Sequence, residues 1–338
     1  MNLKVVATDG LDTAAAEHMA KTPGLHVDVR KGVAPTELLE VLKDADFVII
    51  RSATVLKREQ LAQLPKLKGV LRAGVGIDNI DVKAASDLGI WVWNAPTGNF
   101  QATAELALGL IFAAARQIAP ATAGAKEGKW LKKEISDKGR QLSGATLGIY
   151  GAGNIGLRVA RMARAIGMDV IICDPVFQSS TESPFKTVTF EKLLEQSDFV
   201  TIHAPILDST RHAFSHAAFQ KMKKSAIIVN AARGGIIKDA DLLKALDEKW
   251  IAGAALDVFE VEPFDANDPV YSKLLRHPGL LAATPHMGAS TIESQKLVSW
   301  ESAEKISAVA LAAGSTKTAP RPLNQPMQPR LRFSGDFA

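Results

Sequence analysis

Short apolar runs alternate with segments of helical period along most of the chain. In the first hundred residues the runs are LKVVAT (3–8), FVIIRS (47–52), GVLRAG (69–74) and GIWVWNAP (89–96). Between them, PTELLEVLKDA (35–45) and LKREQLAQL (56–64) repeat their leucines at helical spacing. Buried strands interleaved with helices predict an α/β layer built on a parallel sheet. The alternation resumes with ATLGIY (145–150), the helix-like NIGLRVARMARAIG (154–167) and MDVIICD (168–174). Further strands are predicted at FVTIHAP (199–205), AIIVNAA (226–232), GAALDV (253–258) and LLAATPH (280–286).

Parallel strands gather their ligand-facing loops at their carboxyl ends. The residues found there are Gly151, Asp174, His203, Arg233, Asp257 and His286. The first glycine-rich turn comes only at 151, which leaves about a hundred residues for a separate α/β domain. The helix-like STIESQKLVSWESAEKISAVAL (290–311) is expected to return to that domain.

Composition narrows the classes. The 338 residues are 47% hydrophobic and 22% charged, the balance of a soluble globular protein with a sizeable core. The net charge is +4, and residues 315–338 alone supply +3 of it, so the remainder is close to neutral and shows no nucleic-acid face. That terminal stretch holds Pro320, Pro322, Pro326 and Pro329 without apolar period, and it predicts an extended or mobile tail, or one lying along a neighbouring subunit. LALGLIFAAA (106–115), between Glu105 and Arg116, is too short to span a bilayer and reads as a buried or subunit-packing helix. The start has no secretory signal, and the lone Cys173 lies in an apolar run. A cytoplasmic protein without membrane or nucleic-acid partners is the expectation, and no metal site is foreseen.

The chemistry begins at GAGNIG (151–156). A strand precedes it, a helix opens inside it, and Asp174 ends the next strand about 20 residues on, the context of a dinucleotide site. Gly151 permits a tight turn, Gly153 lets backbone approach a diphosphate, and Gly156 lets helix and strand pack closely. A diphosphate would meet the free N–H groups at the positive end of the helix. Asp174 would hydrogen-bond the ribose hydroxyls and repel a 2′-phosphate, which selects NAD over NADP. NAARGG (230–235), DVFEVEP (257–263) and PHMGAS (285–290) follow at strand ends, and each taken alone is ambiguous.

Together with RSAT (51–54), RAGVGIDNID (72–81), NAPTGN (94–99) and AKEGKW (125–130), these motifs resemble the D-isomer-specific 2-hydroxyacid dehydrogenase family over about residues 3–312. The resemblance implies two doubly wound parallel-sheet domains. One is a flavodoxin-like substrate domain, residues 1–97 plus 289–314; the other is a Rossmann NAD-binding domain, residues 98–288. It also implies a homodimer or homotetramer, for which helix 100–118 is the candidate contact. Carried over, it makes His286 the general acid/base, Glu262 its partner at the other ring nitrogen, and Arg233 the clamp on the substrate carboxylate. Val75, Ile155, Asn154, Ala204, Pro205, Ala231, Ala232, Gly288 and Ala289 would line the cofactor site with the glycines, Arg233 and His286. Asp257 would stand near the nicotinamide carboxamide. Arg51, Ser52, Arg72, Gly74 and Asn99 would face the substrate, joined by Lys132 from a neighbouring subunit.

Within the family the RSAT and RAGVG segments are most similar to the branch that oxidises 3-phosphoglycerate toward serine. Glyoxylate, hydroxypyruvate and D-lactate remain open, since enzymes for these share the same triad. An NAD-sensing corepressor role is a further alternative, not excluded by the intact triad. Val75 replaces a threonine and Asn154 a basic residue frequent in that branch. The chain stops too soon for the extra C-terminal regulatory domains of longer relatives, so feedback through such a domain is not expected.

Overall fold

The computed structural model describes residues 2–177, 185–313 and 315–338. They fall into two compact units, residues 1–99 with 289–338, and residues 100–288.

The first unit carries a five-stranded sheet of β1 (Leu3–Ala7), β2 (Leu25–Val29), β3 (Phe47–Ile50), β4 (Gly69–Arg72) and β5 (Trp91–Asn94), in the order β2-β1-β3-β4-β5 and parallel throughout. This is the flavodoxin-like order. Side chains alternate across a strand, yet both faces here are apolar. Phe47, Ile49, Leu71 and Trp93 enter one core with helices Thr13–Ala20 and Ile292–Ala312; Val48, Ile50, Val70 and Val92 enter the other with Leu42 and Leu61. The second unit carries β6 (Thr146–Tyr150), β7 (Asp169–Cys173), β8 (Lys186–Thr187), β9 (Phe199–Ile202), β10 (Ile227–Asn230), β11 (Gly253–Leu256) and β12 (Leu280–Ala283). Their order β12-β11-β10-β9-β6-β7-β8, again all parallel, is the Rossmann arrangement with one added strand.

The strands foreseen from the apolar runs are all present. β2 was not foreseen, because LHVDV lies at the sheet edge with only Leu25 buried and lacks a continuous apolar signature. β8 is a two-residue edge strand that adjoins residues outside the description.

Helix Phe100–Ala115 accounts for the uncharged stretch within its own unit. Ala104, Ala107, Leu110, Ile111 and Ala114 are buried against helix Asn154–Ala165 and strands β10 to β12. Among the described residues no single helix is long and apolar enough to cross a membrane.

The tail departs from a loose segment. It is extended, but it is fastened to the first unit's own sheet along β5, the edge strand. Trp91 Nε1 donates to Leu331 O at 2.8 Å and Trp93 Nε1 to Pro320 O at 2.9 Å. Leu323 N donates to Val92 O, and Val92 N donates to Asn324 Oδ1, both at 2.8 Å. Asn324 Nδ2 closes the set on Ile90 O at 2.9 Å, and Phe333 and Phe337 pack on Trp91. One asparagine side chain thus imitates the next strand's backbone and covers an otherwise open edge. The prolines, which donate nothing to a ladder, kept this docking from showing as a strand pattern.

Asn324→Ala removes the partners of two buried backbone groups and is predicted to destabilise the protein by about 1–3 kcal/mol. Urea unfolding would measure it; a change below about 0.5 kcal/mol, the range of an ordinary surface substitution, would mean that the tail edge is not a structural contact.

Candidate active site

In the second unit every candidate group except Lys132 sits just past a strand's carboxyl end. The turn after β6 is held tight by its neighbours. Gly151 has φ +96°, and a Cβ there would lie 2.5 Å from Ala204 N; a Cβ on Gly156 would lie 2.1 Å from Gly151 O. At Gly153 a Cβ would enter open space. Gly153 also precedes helix Asn154–Ala165 with no side-chain cap, so the first N–H groups of that helix face this space without a protein acceptor from the cap. The cradle therefore fits a diphosphate: donors are present, and the one side chain that would obstruct it is missing. Asn154 is exposed at the helix start, and Arg158, one turn on, donates Nη1 to its carbonyl at 2.8 Å.

Asp174 closes the cradle. Its Oδ2 accepts from Ala152 N, and its Oδ1 from Val176 N and Phe177 N, all at 2.8 Å. Burial alone would push this carboxyl up, but those three backbone donors prevail and hold it below its ordinary value. It stands as an anion at the end of β7, where an adenosine ribose would lie. Ala204 and Ala231 are buried and Pro205 exposed; Asn230, 0% exposed, takes Ala232 N on Oδ1 and gives Nδ2 to Arg233 O. The asparagine of NAARGG thereby sets the path of the arginine's backbone. Arg233 is half-buried, with Nη1 on Ala232 O at 2.7 Å.

His203 lies deeper. Its Nε2 pairs with Thr201 Oγ1 at 3.0 Å, its Nδ1 is buried without a hydrogen-bond partner, and burial pulls the ring's pKa down to about 3. It is neutral at neutral pH.

Two loops meet at His286. His286 Nδ1 and Glu262 Oε2 are 2.5 Å apart, while Glu262 Oε1 accepts from Phe259 N at 2.8 Å. Both side chains keep solvent access, at 48% and 32%. His286 has φ +50°, a left-handed backbone that costs a non-glycine residue roughly 1–3 kcal/mol. The offset comes from Asp257, 1% exposed at the end of β11. Its Oδ1 accepts from Thr284 Oγ1 at 2.6 Å and Met287 N at 2.8 Å, its Oδ2 from Gly288 N at 3.0 Å, and its carbonyl from His286 N at 2.7 Å. Asp257, expected at the cofactor's carboxamide, commits its carboxylate to the histidine's loop. The loops of Arg233 and Glu262 also touch: a Cβ on Gly234 would lie 1.7 Å from Phe259 O.

The first unit gathers its own candidates at strand ends. Arg51 follows β3 and Arg72 ends β4, and Ile50 pairs with Arg72 across the two strands, so the two arginines belong to adjacent strand ends. Asp9 and Asn79, neither singled out from sequence, hold the RSAT loop. Asp9 accepts from Arg51 N at 2.6 Å and Thr54 Oγ1 at 2.7 Å; Asn79 Nδ2 donates to the carbonyls of Arg51 and Thr54. Burial lowers the Arg51 pKa, with Asp9 opposing. Gly74 has φ +142°, with the Arg72 guanidinium lying where a Cβ would stand. Ser52 is exposed; Val75 O accepts from Asn94 Nδ2; Asn99 Oδ1 is buried without a partner. Ala289 O accepts from Gln295 Nε2. Lys132 is exposed and lines a groove of about 840 Å³ with Phe112, Arg116, Trp130 and Arg140, whose walls include none of the other candidates. Among the described residues no three His, Cys, Asp or Glu side chains form a metal cluster.

A Rossmann sheet with a glycine cradle, an acidic ribose position and a His–Glu pair defines a dinucleotide-dependent oxidoreductase. Residues 108–288 match the family model described as D-isomer specific 2-hydroxyacid dehydrogenase, NAD binding domain. The chain is 42% identical over 303 residues to a hydroxypyruvate reductase of Thermotoga maritima, covering 90% of this chain and 97% of that protein. It is also 42% identical over 310 residues to a D-3-phosphoglycerate dehydrogenase of Methanocaldococcus jannaschii, covering 91% of this chain but only 57% of that one. An NAD-dependent formate dehydrogenase from Staphylococcus aureus, solved in complex with NAD, superposes with a TM-score of 0.79 at 27% identity, over 90% of this chain and 94% of that one. The chain belongs to the D-isomer-specific 2-hydroxyacid dehydrogenases, NAD-dependent oxidoreductases acting on CH–OH groups.

Asp174→Ser is predicted to raise the ratio of NADPH to NADH use by at least about tenfold, the factor that 1.4 kcal/mol of relieved repulsion produces. Comparing kcat/KM for the two cofactors measures it; an unchanged ratio would remove Asp174 from the ribose site.

Proposed function

We propose that the chain oxidises 3-phosphoglycerate at C2, with Arg233, Glu262 and His286 carrying the chemistry. The Glu262–His286 contact at 2.5 Å is the observation that supports the acid/base assignment. An ionised carboxylate only accepts, so Glu262 keeps the proton on Nδ1 and leaves Nε2 as an acceptor. Nε2 takes the C2 hydroxyl proton as the carbonyl forms, and Glu262 balances the imidazolium. NAD, when bound, takes up the hydride from C2. Arg233 offers a planar pair of donors to the substrate carboxylate and polarises the C2 oxygen. In the reverse direction the imidazolium returns its proton to the same oxygen.

The phosphate assignment is supported by Arg51 and Arg72 on adjacent strand ends. A phosphate monoester carries close to two negative charges, and a guanidinium removed from water favours an anion beside it. A homodimeric or homotetrameric assembly and a place in serine formation go with this reading. A second reading, hydroxypyruvate reduction, is favoured by the match along 97% of the Thermotoga maritima relative.

Steady-state kinetics with 3-phosphoglycerate, glycerate and D-lactate in oxidation, and phosphohydroxypyruvate, hydroxypyruvate and glyoxylate in reduction, separates the two. The first reading predicts a kcat/KM for the phosphorylated acids at least about 100-fold above the unphosphorylated ones, about 2.8 kcal/mol of transition-state binding. Equal values would overturn it, and a preference for hydroxypyruvate would establish the second.

A further inference from the structure

The segment that presents Glu262 is ordered by side chains instead of by a backbone ladder. The consecutive N–H groups of Phe259, Glu260 and Val261 donate to Glu262 Oε1, Asp239 Oδ2 and Tyr271 Oη, at 2.8, 2.9 and 2.9 Å. The Tyr271 hydroxyl donates in turn to Asp239 Oδ2 at 2.9 Å. Asp239 and Tyr271 are 3% and 5% exposed, at the starts of helices Asp239–Asp247 and Tyr271–Leu274. Asp239 N returns a bond to Glu260 Oε2 at 3.2 Å, and Glu260 Oε1 meets His212 Nε2 at 2.6 Å. Burial pushes the Asp239 carboxyl up to about 6, and the charges of Glu260 and Glu262 act in the same direction. Asp239 and the catalytic candidate are therefore in each other's field as well as on one hydrogen-bonded path.

We propose that Asp239 and Tyr271 are positioning residues that set the Glu262 carboxylate on His286. The inference rests on the reading of Glu262 and His286 as the acid/base pair. Val261 immediately precedes Glu262. Removing the Tyr271 hydroxyl leaves the Val261 N–H without its acceptor and Asp239 with one donor fewer, and the peptide is free to turn toward another partner. A short hydrogen bond between two solvent-accessible side chains tolerates little of this, since misplacement by about 1 Å costs a catalytic group on the order of 100-fold.

The test compares wild type, Tyr271→Phe, Glu262→Gln and the double variant, using NADH and the 2-oxo acid that wild type turns over fastest. Readouts are kcat, KM, the NADH dissociation constant by fluorescence, and Tm. Tyr271→Phe is predicted to lower kcat about tenfold while KM and NADH affinity stay within about twofold, and to lower kcat less than about twofold when Glu262 is already Gln. Asp239→Asn, which keeps one acceptor oxygen, is the milder second variant, predicted to lower kcat about threefold with the same dependence on Glu262. Equal fold-losses in both backgrounds, or a lower Tm with kcat unchanged, would overturn the proposal. If Glu262→Gln loses turnover and Tyr271→Phe does not, the acid/base reading stands and the positioning role falls. If Glu262→Gln keeps its turnover, both fall.

Discussion

The hydrogen bond between Glu262 and His286 joins two loops, and the geometry at the carboxyl ends of the second unit's strands depends on it. Neither loop carries its side chain there by secondary structure. Glu262 lies past β11 in a segment whose amides are satisfied by Glu262 itself, Asp239 and Tyr271. His286 lies past β12 with a left-handed backbone that Asp257 holds through its carbonyl and both carboxylate oxygens. Two strained or irregular pieces of chain are thus each over-determined, and the 2.5 Å contact is where they meet. Gly234 brings the arginine's loop against the same segment, so a shift in one of these loops is felt by the others.

The parallel sheet makes this convergence possible. Every strand of the second unit delivers its carboxyl end to one edge, where the diphosphate cradle, Asp174, Arg233 and the His–Glu pair lie on successive loops. The helix that follows the cradle contributes its positive end, and Asp174 is kept ionised by three amides at the same edge. Charge is arranged in advance of any ligand: free N–H groups at the cradle, the Asp174 anion, and Arg233 on a loop that touches the loop of Glu262.

Much of this was legible in the sequence. Strands buried on both faces read as continuous apolar runs, so β3, β4, β6, β9 and β10 stood out, and the ends of β6, β7, β10, β11 and β12 named Gly151, Asp174, Arg233, Asp257 and His286. The pairing of Glu262 with His286 came from family resemblance, since a glutamate 24 residues away has no local signature. Asp9, Asn79, Asp239 and Tyr271 were passed over for the same reason. Their work is done by hydrogen bonds to loops distant in sequence, as Asp9 reaches Arg51 and Asp239 reaches Glu260. Asp257 stands at the strand end where the sequence placed it, and its hold on the histidine's loop had no local signature. The tail is extended, one of the forms expected for it, but its docking was not legible because proline-rich composition hides an edge contact made by one asparagine and two indole N–H groups.

The central claim is that His286 moves the proton and that Glu262 holds it in place to do so. His286→Gln keeps a polar side chain of similar reach but cannot exchange a proton near neutral pH. The most direct measurement is kcat beside the NADH dissociation constant for this variant. The account predicts a loss of kcat of at least about 100-fold, the scale of positioned acid/base catalysis, with NADH affinity within about threefold of wild type. A kcat within about threefold of wild type, or a loss matched by an equal loss of NADH binding, would contradict it.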